Sequence, residues 1–385
     1  MSKAKTRNAI LVTMVLFLCI FGMVMIYSAS SYSSEYLFDD AFHFVKKQLF
    51  GFALGIILFI IASRFNYHNF YKLRFWVLGL SIVLLMLVFV PGIGISANGA
   101  RRWIGFGGFN LQSSEVAKFG FVIFVSCYLS KNYEKTKTFK GILPILLSGG
   151  IICLLVILEP NMSVTMCIGM VMIIMLIVGG MRFKHFLILC IPALLLAVGL
   201  ILIEPYRLDR LMAFLNPWEN PKEEGYQLIQ SLYSLGAGGL FGVGLFNSRQ
   251  KYMFLPFAES DFIFAIIGEE LGFIGSTLIL LVYIAIISIG IKIALSSKDR
   301  LGTYIASGIT SVIAIQLLIN IAVVTGSIPP TGIPMPFISA GGTSLSVFMG
   351  AIGILVNIGN NGQTDNVEKR NAFKGLFAKK EKDRN

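Results

Sequence analysis

The chain has 385 residues, of which 56% are hydrophobic and only 14% are charged, and its net charge is +12. A soluble domain carries about 25% charged residues, so this composition excludes an ordinary soluble protein. The net charge alone could indicate a nucleic-acid-binding protein, but the positions of the basic residues point elsewhere.

Ten apolar segments have about the length that crosses roughly 30 Å of hydrocarbon as a helix. Only helices satisfy their own backbone hydrogen bonds within such a segment, so the predicted fold class is all-α, a polytopic integral membrane protein. The second span is short and the eighth is long enough to tilt or kink, so either could change the count. The predicted spans are 9–27, 49–62, 75–91, 116–130, 141–158, 162–181, 186–203, 262–291, 303–325 and 343–358.

The first span has features of a secretory signal peptide, since it follows three basic residues and ends in the small residues "SAS" at 28–30. Its apolar run is longer than a usual signal sequence and nine spans follow it, so we interpret it as a retained anchor. Ten spans place both termini on one side, where the termini and the connecting segments together contain 22 of the 32 lysines and arginines. Such an excess marks the cytoplasmic face, so the basicity reflects topology and no nucleic-acid partner is predicted.

Four segments on the opposite, outer face are long or irregular: 28–48, 92–115, 204–261 and 326–342. The largest lies between the seventh and eighth spans and is polar, rich in glycine and interrupted by prolines. Long ordered loops are usually functional, and irregular backbone beside spans is tolerated where it lines a cavity. The outer face is therefore predicted to be the working face. Residues 1–358 are predicted to form one membrane domain, followed by a basic, disordered cytoplasmic tail at 359–385.

Two common kinds of site are not indicated. The five cysteines all fall in predicted spans without a C-x-x-C spacing, and the three histidines are scattered at span edges. This pattern predicts neither a disulfide framework nor a His/Cys metal site. The chain also lacks the G-x-x-x-x-G-K-[ST] phosphate loop, which argues against ATP-driven transport by this chain alone.

Three acidic residues lie at or within the eighth span. Asp261 stands at its outer end, where a water-accessible carboxylate suits a general base and equally suits a helix N-cap. Glu269 and Glu270 lie about 12–13.5 Å deeper by helical rise. Acids inside a membrane usually face a cavity or a partner and mark function, and a structural ion pair is the alternative.

Basic side chains also occur on the outer face, where positive charge is otherwise scarce. Arginine binds phosphate oxygens bidentately and lysine supplies a point charge, so this set suits an anionic headgroup. Pairing with acids of the same loops is the alternative. Trp103 either belongs to an interfacial aromatic belt or stacks on a sugar ring. The set comprises Arg101, Arg102, Arg207, Arg210, Arg249 and Lys251, with Lys118 and Glu115 at the top of the fourth span.

Six motifs together resemble the SEDS family (shape, elongation, division and sporulation), and they follow the order found in that family. The resemblance covers about residues 9–358. The wording "TGIPMPFIS" and "NPW" is more similar to the FtsW/SpoVE branch than to RodA. The motifs are "NGARRWIGFG" (98–107), "QSSEVAKF" (112–119), "NPWENPKEEGYQLIQSL" (216–232), "GAGGLFGVG" (236–244), "SDFIFAIIGEELG" (260–272) and "PPTGIPMPFISAGGTS" (329–344).

The resemblance implies a peptidoglycan glycosyltransferase that polymerises lipid II at the outer leaflet of the bacterial cytoplasmic membrane. It implies a class B penicillin-binding protein as partner, with other division or elongation membrane proteins and membrane lipid. Asp261 matches the essential aspartate of the family and is expected to be catalytic. The residues expected to bind substrate are Trp103, Arg101, Arg102, Glu115, Lys118, Arg207, Arg210, Gln227, Ser231, Lys251 and Ser339.

This activity agrees with the residues. A sugar hydroxyl must lose a proton while it attacks an anomeric carbon that carries a lipid pyrophosphate, and Asp261 would accept that proton. Outer cations would stabilise charge on the departing pyrophosphate. Inversion needs no covalent intermediate and therefore no nucleophilic serine or cysteine. Glu269 and Glu270 are expected to hold the eighth span against a polar cavity and not to take part in the chemistry. No cofactor is specified, and a divalent cation is left open.

Several positions depart from the family pattern. The usual Glu after "LP" is Phe257, Glu259 stands where His or Gln is common, and the usual Gln-Pro-Asp motif is Glu159-Pro160-Asn161. Ala340 replaces an aromatic residue before the glycine pair. These changes weaken any claim about secondary carboxylates or a bound cation, and they leave Asp261 in place. A lipid II flippase, a RodA-type elongation polymerase and a structural scaffold for division proteins are the competing interpretations.

Overall fold

The computed structural model describes residues 3–97, 100–106, 109–203, 205–219, 221–223 and 225–361. The described residues form twelve α-helices and one small sheet, with short 3-10 turns at Tyr67–Asn69 and Tyr133–Lys137. The predicted disordered tail lies outside the described residues from 362 onward, whereas residues 359–361 complete the last helix. The helices are α1 (Lys3–Phe38), α2 (His43–Arg64), α3 (Phe70–Leu87), α4 (Ser113–Asn132), α5 (Phe139–Leu158), α6 (Met162–Val178), α7 (Phe183–Ile203), α8 (Pro205–Leu215), α9 (Tyr226–Gly238), α10 (Ile263–Leu295), α11 (Arg300–Val324) and α12 (Gly342–Asn361).

The predicted fold class, a helical polytopic membrane protein, is confirmed. Each predicted span falls on a helix, namely α1 to α7 and α10 to α12. Seven of these helices, α1, α2, α3, α5, α10, α11 and α12, are long and apolar enough to cross a membrane. The total number of membrane-crossing helices stays a prediction. Three helices begin at side-chain caps, since Thr138, Asn161 and Asp299 accept bonds from amides in the first turns of α5, α6 and α11.

The predicted outer loop at 28–48 is wrong over most of its length. Helix α1 continues to Phe38 and α2 begins at His43, so only a four-residue connection is left. The small polar residues that suggested a loop lie on the buried side of α1, where Ser28, Ser30 and Ser34 are enclosed by protein. A helix pairs its interior backbone groups, and here Ser28 donates to Glu270 of α10 and Ser30 to the Ile26 carbonyl, so the helix continues past the apolar run.

The outer segment before α4 contains a three-stranded antiparallel sheet that the sequence analysis did not predict. Its strands are β1 (Gly94–Ala97), β2 (Ala100–Phe106) and β3 (Phe109–Gln112), in the order β1-β2-β3. Trp103 lies opposite Ile95 on one side and Gln112 on the other. Because β3 leads directly into α4, the sheet fixes where the first turn of α4 begins.

Helices α4 and α11 lie at the centre of the bundle. Nearly every residue of α4 from Ser113 to Cys127 is buried, and α11 packs against α4, α6, α9, α10 and α12. Polar residues on these two helices are therefore enclosed by protein, where each requires a partner.

Helix α10 is broken at Gly272, whose φ of +67° and ψ of −168° are not helical. The glycine-rich segment, residues 239–253, packs against this break. The amides of Val243 and Gly244 bind the carbonyls of Glu269 and Glu270 at 2.9 and 3.0 Å, and the amide of Phe273 binds the carbonyl of Gly239 at 2.9 Å. The segment thus satisfies backbone groups that the broken helix would otherwise leave unpaired.

Replacing Gly242 by Ala is expected to destabilise the protein by at least about 2 kcal/mol. A Cβ at this position would lie 2.1 Å from the Glu270 carbonyl oxygen, and the φ of +81° at Gly242 is strained for any residue other than glycine. Gly236 is the matched control, because a Cβ there meets nothing within 4 Å. We expect Gly236→Ala to leave the Tm in detergent unchanged or slightly raised, and equal Tm values for both variants would contradict this packing.

Candidate active site

Asp261 lies two residues before α10, whose N-cap position is Phe262. Its side chain is half-buried, and its backbone carbonyl accepts a 2.8 Å bond from Asn320 Nδ2 on α11. The carboxylate lies beside exposed Gly332, since a Cβ built there would be 3.2 Å from Asp261 Oδ2. The carboxylate therefore lies next to an exposed residue that has no side chain.

The proline-rich segment, residues 326–341, turns back into the protein beside Asp261. Its side chains Ile333, Met335 and Phe337 are buried. Ser339 Oγ donates to the Ser260 carbonyl at 2.6 Å and accepts from the Met335 amide at 2.7 Å. Helical hydrogen bonds are largely absent from this segment, so side-chain bonds of this kind fix its path.

Glu115 and Lys118 form a buried ion pair in the first turns of α4. Lys118 Nζ lies 2.7 Å from Glu115 Oε1, and the side chains of the lysine and the glutamate are 2% and 1% exposed. Lys118 also donates to Gln316 Oε1 on α11, and Ser344 Oγ on α12 donates to Glu115 Oε2 at 3.1 Å. A buried charge pair needs such additional partners to offset its desolvation.

Helix α11 connects the ion pair to the surroundings of Asp261. Gln316 Nε2 donates to the Pro334 carbonyl at 2.9 Å, and Asn320 Nδ2 donates to the Ile333 carbonyl at 2.8 Å. Gln316, which binds the pair, and Asn320, which binds the Asp261 carbonyl, thus reach adjacent residues of the proline-rich segment. The sequence analysis missed both amides, although two polar residues four apart on an apolar span place them on one helix face.

Among the outer cations whose side chains the structure describes, Arg102 and Lys251 contact different parts of the protein. Arg101 is exposed on β2 and Trp103 is half-buried there. Arg102 donates to the carbonyls of Glu159 and Pro160, at the C-terminal end of α5. This contact is typical of an arginine that satisfies helix-terminal carbonyls. Arg207 and Arg210 lie on α8, and their side chains are outside the described part of the structure.

Lys251, Gln227 and Ser231 all contact protein groups. Lys251 is 6% exposed, donates to the Phe246 carbonyl and lies 3.8 Å from Glu270 Oε1. Gln227 Nε2 donates to the Pro256 carbonyl at 3.2 Å, and Ser231 Oγ donates to the Val324 carbonyl at 2.8 Å. These bonds join α9 to the approach to α10 and to the end of α11. The roles of the three residues in substrate binding stay predictions.

Glu269 and Glu270 organise the glycine-rich segment. Both are buried. Glu269 accepts bonds from the Ser248 hydroxyl and from the Arg249 amide at 2.9 Å, and Glu270 accepts from Ser28 Oγ at 2.6 Å. These contacts agree with the structural role expected from the sequence. Among the residues that the structure describes, no group of three or more His, Cys, Asp or Glu side chains could hold a metal ion.

Glu159 is buried just beyond α5, where Ser113 Oγ donates to its Oε1 at 3.0 Å. Its Oε2 has no hydrogen-bond partner in the described part of the chain. Burial raises the pKa of this carboxyl to about 8, although Ser113 and Arg102 act in the opposite direction. The side chain is therefore neutral over most of the physiological range.

We expect Glu159→Gln to become progressively more stable than wild type as the pH rises from about 5 to 8. In the unfolded chain this carboxyl loses its proton near its ordinary pKa of 4.5, whereas the folded protein holds the proton until about pH 8. The free energy of unfolding that this group contributes therefore falls across that window, and the glutamine has no such dependence. Parallel Tm profiles of the two proteins in detergent across this pH range would contradict the prediction.

A helical bundle with a broken helix, an enclosed ion pair and a carboxylate beside an irregular segment defines a multi-span membrane protein with a polar site. Residues 8–364 match the family model described as cell cycle protein, FtsW/RodA/SpoVE. The chain therefore belongs to this family, the SEDS family.

Named relatives and solved structures agree with this membership. Stage V sporulation protein E of Bacillus subtilis is 43% identical over 93% of this chain and 98% of its own length. A probable peptidoglycan glycosyltransferase FtsW of Geobacter metallireducens is 39% identical over 91% of this chain and 94% of its own. The rod shape determining protein RodA of Thermus thermophilus has the same fold, with a TM-score of 0.67 at 22% identity, over 92% and 97% of the two chains.

Proposed function

We propose that this protein is a peptidoglycan glycosyltransferase that polymerises lipid II at the outer face of the bacterial cytoplasmic membrane, in cell division or sporulation. The observation that carries the proposal is the half-buried Asp261 carboxylate beside exposed Gly332 of the proline-rich segment. The names of the relatives, which include a sporulation protein and a probable peptidoglycan glycosyltransferase, support the same reaction.

In the proposed reaction a sugar hydroxyl of one lipid-linked chain attacks the anomeric carbon of another. The new glycosidic bond forms as the bond to undecaprenyl pyrophosphate breaks, with inversion at the carbon. Asp261 accepts the hydroxyl proton, which raises the nucleophilicity of the oxygen in the transition state. Arg101, exposed on β2, and the arginines of α8 would stabilise the leaving pyrophosphate.

Glu259 is the other acid close to Asp261 in the chain. It is half-buried, and burial raises its pKa. The Asp261 carboxylate lies beside exposed Gly332, whereas the described contact of Glu259 with the proline-rich segment is made by its backbone carbonyl, which accepts a bond from the Ala340 amide. We assign the base to Asp261 on this geometry and no proton transfer to Glu259.

A class B penicillin-binding protein is the proposed partner, together with other division membrane proteins. A solved structure with the same fold, at a TM-score of 0.76 and 24% identity, is described as the structural coordination of polymerization and crosslinking by a peptidoglycan synthase complex. Polymerisation by one subunit and cross-linking by another would suit the present chain, since its described residues carry no separate soluble domain.

The test is to purify the chain with its cognate transpeptidase and incubate it with lipid II, with glycan products resolved on a gel. We expect a ladder of polymers. A flippase would instead move labelled lipid II across vesicles without making polymer, and a scaffold would do neither. An intact complex that moves lipid II and makes no ladder would reject the polymerase in favour of the transporter.

A further inference from the structure

Asn320 is a buried residue of α11 that bridges the two chain segments around Asp261. Its side chain is 1% exposed. Its single amide nitrogen donates to the Asp261 carbonyl and to the Ile333 carbonyl, both at 2.8 Å. One NH₂ group thus uses both of its hydrogens to tie the entrance of α10 to the proline-rich segment.

The entrance of α10 has little else of regular structure to hold it. Residues 259–261 precede the helix and 326–341 have no helix or strand. The described bonds between the two segments there run from Ser339 to the Ser260 carbonyl and from the Ala340 amide to the Glu259 carbonyl. Asn320 donates to the carbonyl of Asp261 itself, and Gly332 lies beside the carboxylate of the same residue.

We propose that Asn320 is a positioning residue for Asp261: it fixes the backbone of Asp261 and so holds the carboxylate in its place beside Gly332, where it can reach the substrate hydroxyl. The role rests on the proposed function, because it concerns the base of that reaction. Asn320 acts through the backbone of Asp261 and makes no contact with substrate. A displacement of about 1 Å at a reacting group can reduce a rate about 100-fold, so one anchoring amide has a large effect.

The geometry also predicts which kinetic constant a substitution of Asn320 changes. Moving the carboxylate changes proton transfer in the transition state and leaves the groups that bind lipid II in place. A loss confined to the transition state lowers kcat and leaves KM nearly unchanged. General loosening of the fold would instead lower the amount of active protein and the Tm.

The test compares Asn320→Leu with two other variants in the purified complex, using initial rates over a range of lipid II concentrations. Leucine has the same branched arrangement of four side-chain heavy atoms and donates no hydrogen bond. Gly332→Ala acts on the carboxylate directly, since its Cβ would lie 3.2 Å from Asp261 Oδ2. Asn357→Leu is the matched control, because Asn357 is also buried and donates at 2.8 Å to the Ser63 carbonyl at the other end of the bundle.

We expect Asn320→Leu to lower kcat by about 10- to 100-fold with KM changed less than about threefold. Gly332→Ala should lower kcat with the same unchanged KM, and Asn357→Leu should keep kcat within about threefold at a similar loss of Tm. If Asn320→Leu fails to fold, Gly332→Ala decides whether the carboxylate requires a fixed place.

Two outcomes separate this role from the proposed function. If Asp261→Asn makes no glycan while Asn320→Leu and Gly332→Ala resemble Asn357→Leu, the positioning role is rejected and the polymerase stands. If wild type makes no glycan, or Asp261→Asn makes as much as wild type, the assignment of the base is rejected and the positioning role with it.

Discussion

Replacing Asp261 by Asn should reduce the rate of glycan polymerisation by about 10²- to 10⁴-fold, the usual contribution of a general base. Asparagine keeps the shape of the side chain and the backbone bond from Asn320, so the fold should be retained. The rate is measured from the appearance of polymer on a gel, with purified complex and lipid II. The Tm of the variant in detergent should match that of wild type.

Asp40 provides the control for loss of a carboxylate on the same predicted face. It lies between α1 and α2 and pairs with Lys46 at 2.8 Å, where the lysine is largely exposed. We expect Asp40→Asn to polymerise at the wild-type rate, since exposed pairs contribute little. Equal rates for wild type and Asp261→Asn would exclude Asp261 as the base and favour the transporter or scaffold interpretations.

Replacing Lys118 by Met should destabilise the protein by about 3–5 kcal/mol, because it leaves the Glu115 carboxylate buried without its cation. The same change removes the bond to Gln316 and so weakens the path from α4 to Pro334. We therefore expect activity to fall together with the Tm. Thermal unfolding in detergent and the polymerisation rate are the two measurements.

Two further variants separate the charge from the packing. Glu115→Gln combined with Lys118→Met removes both charges and should recover much of the lost Tm, because no unpaired ion is left buried. Lys137→Met removes a lysine from a pair of the same 2.7 Å length and spacing, formed with Glu134 at an exposed site. Its Tm should equal that of wild type. If Lys118→Met has the same effect as Lys137→Met, the buried pair is not a source of stability.

The positions of the predicted spans followed from local hydrophobicity, which is why they fall on helices throughout the described chain. The loops were harder to predict from the sequence. The stretch after residue 27 is predicted as a loop because it lies between two apolar runs, yet Ser28 contacts Glu270 on α10 and the helix continues. Such a partner, distant in sequence, cannot be deduced from composition. The small sheet before α4 was missed because its strands are only four to seven residues long.

The residues of the candidate site likewise fall into two groups, those that the sequence indicates and those that only the structure identifies. Asp261, Glu115 and Lys118 could be identified from their motifs and from the cost of charge near an apolar span. Gln316 and Asn320 could not be assigned a role from the sequence. The role of a neutral side-chain amide depends on which carbonyl it binds, and only the tertiary structure shows that carbonyl. Ser339 was included for its motif, and the structure shows it binding the Ser260 backbone.

The sequence by itself determined the class of protein, the course of its spans and the acids that belong to its site, because hydrophobicity, charge and motif are properties of short stretches. The tertiary structure decided which of the polar groups meet. Packing of α11 between α4 and α10 places two amides against the proline-rich segment, and the break at Gly272 allows the glycine-rich segment to reach Glu269 and Glu270. A buried polar group must find a partner, and that partner is fixed by which helices lie side by side.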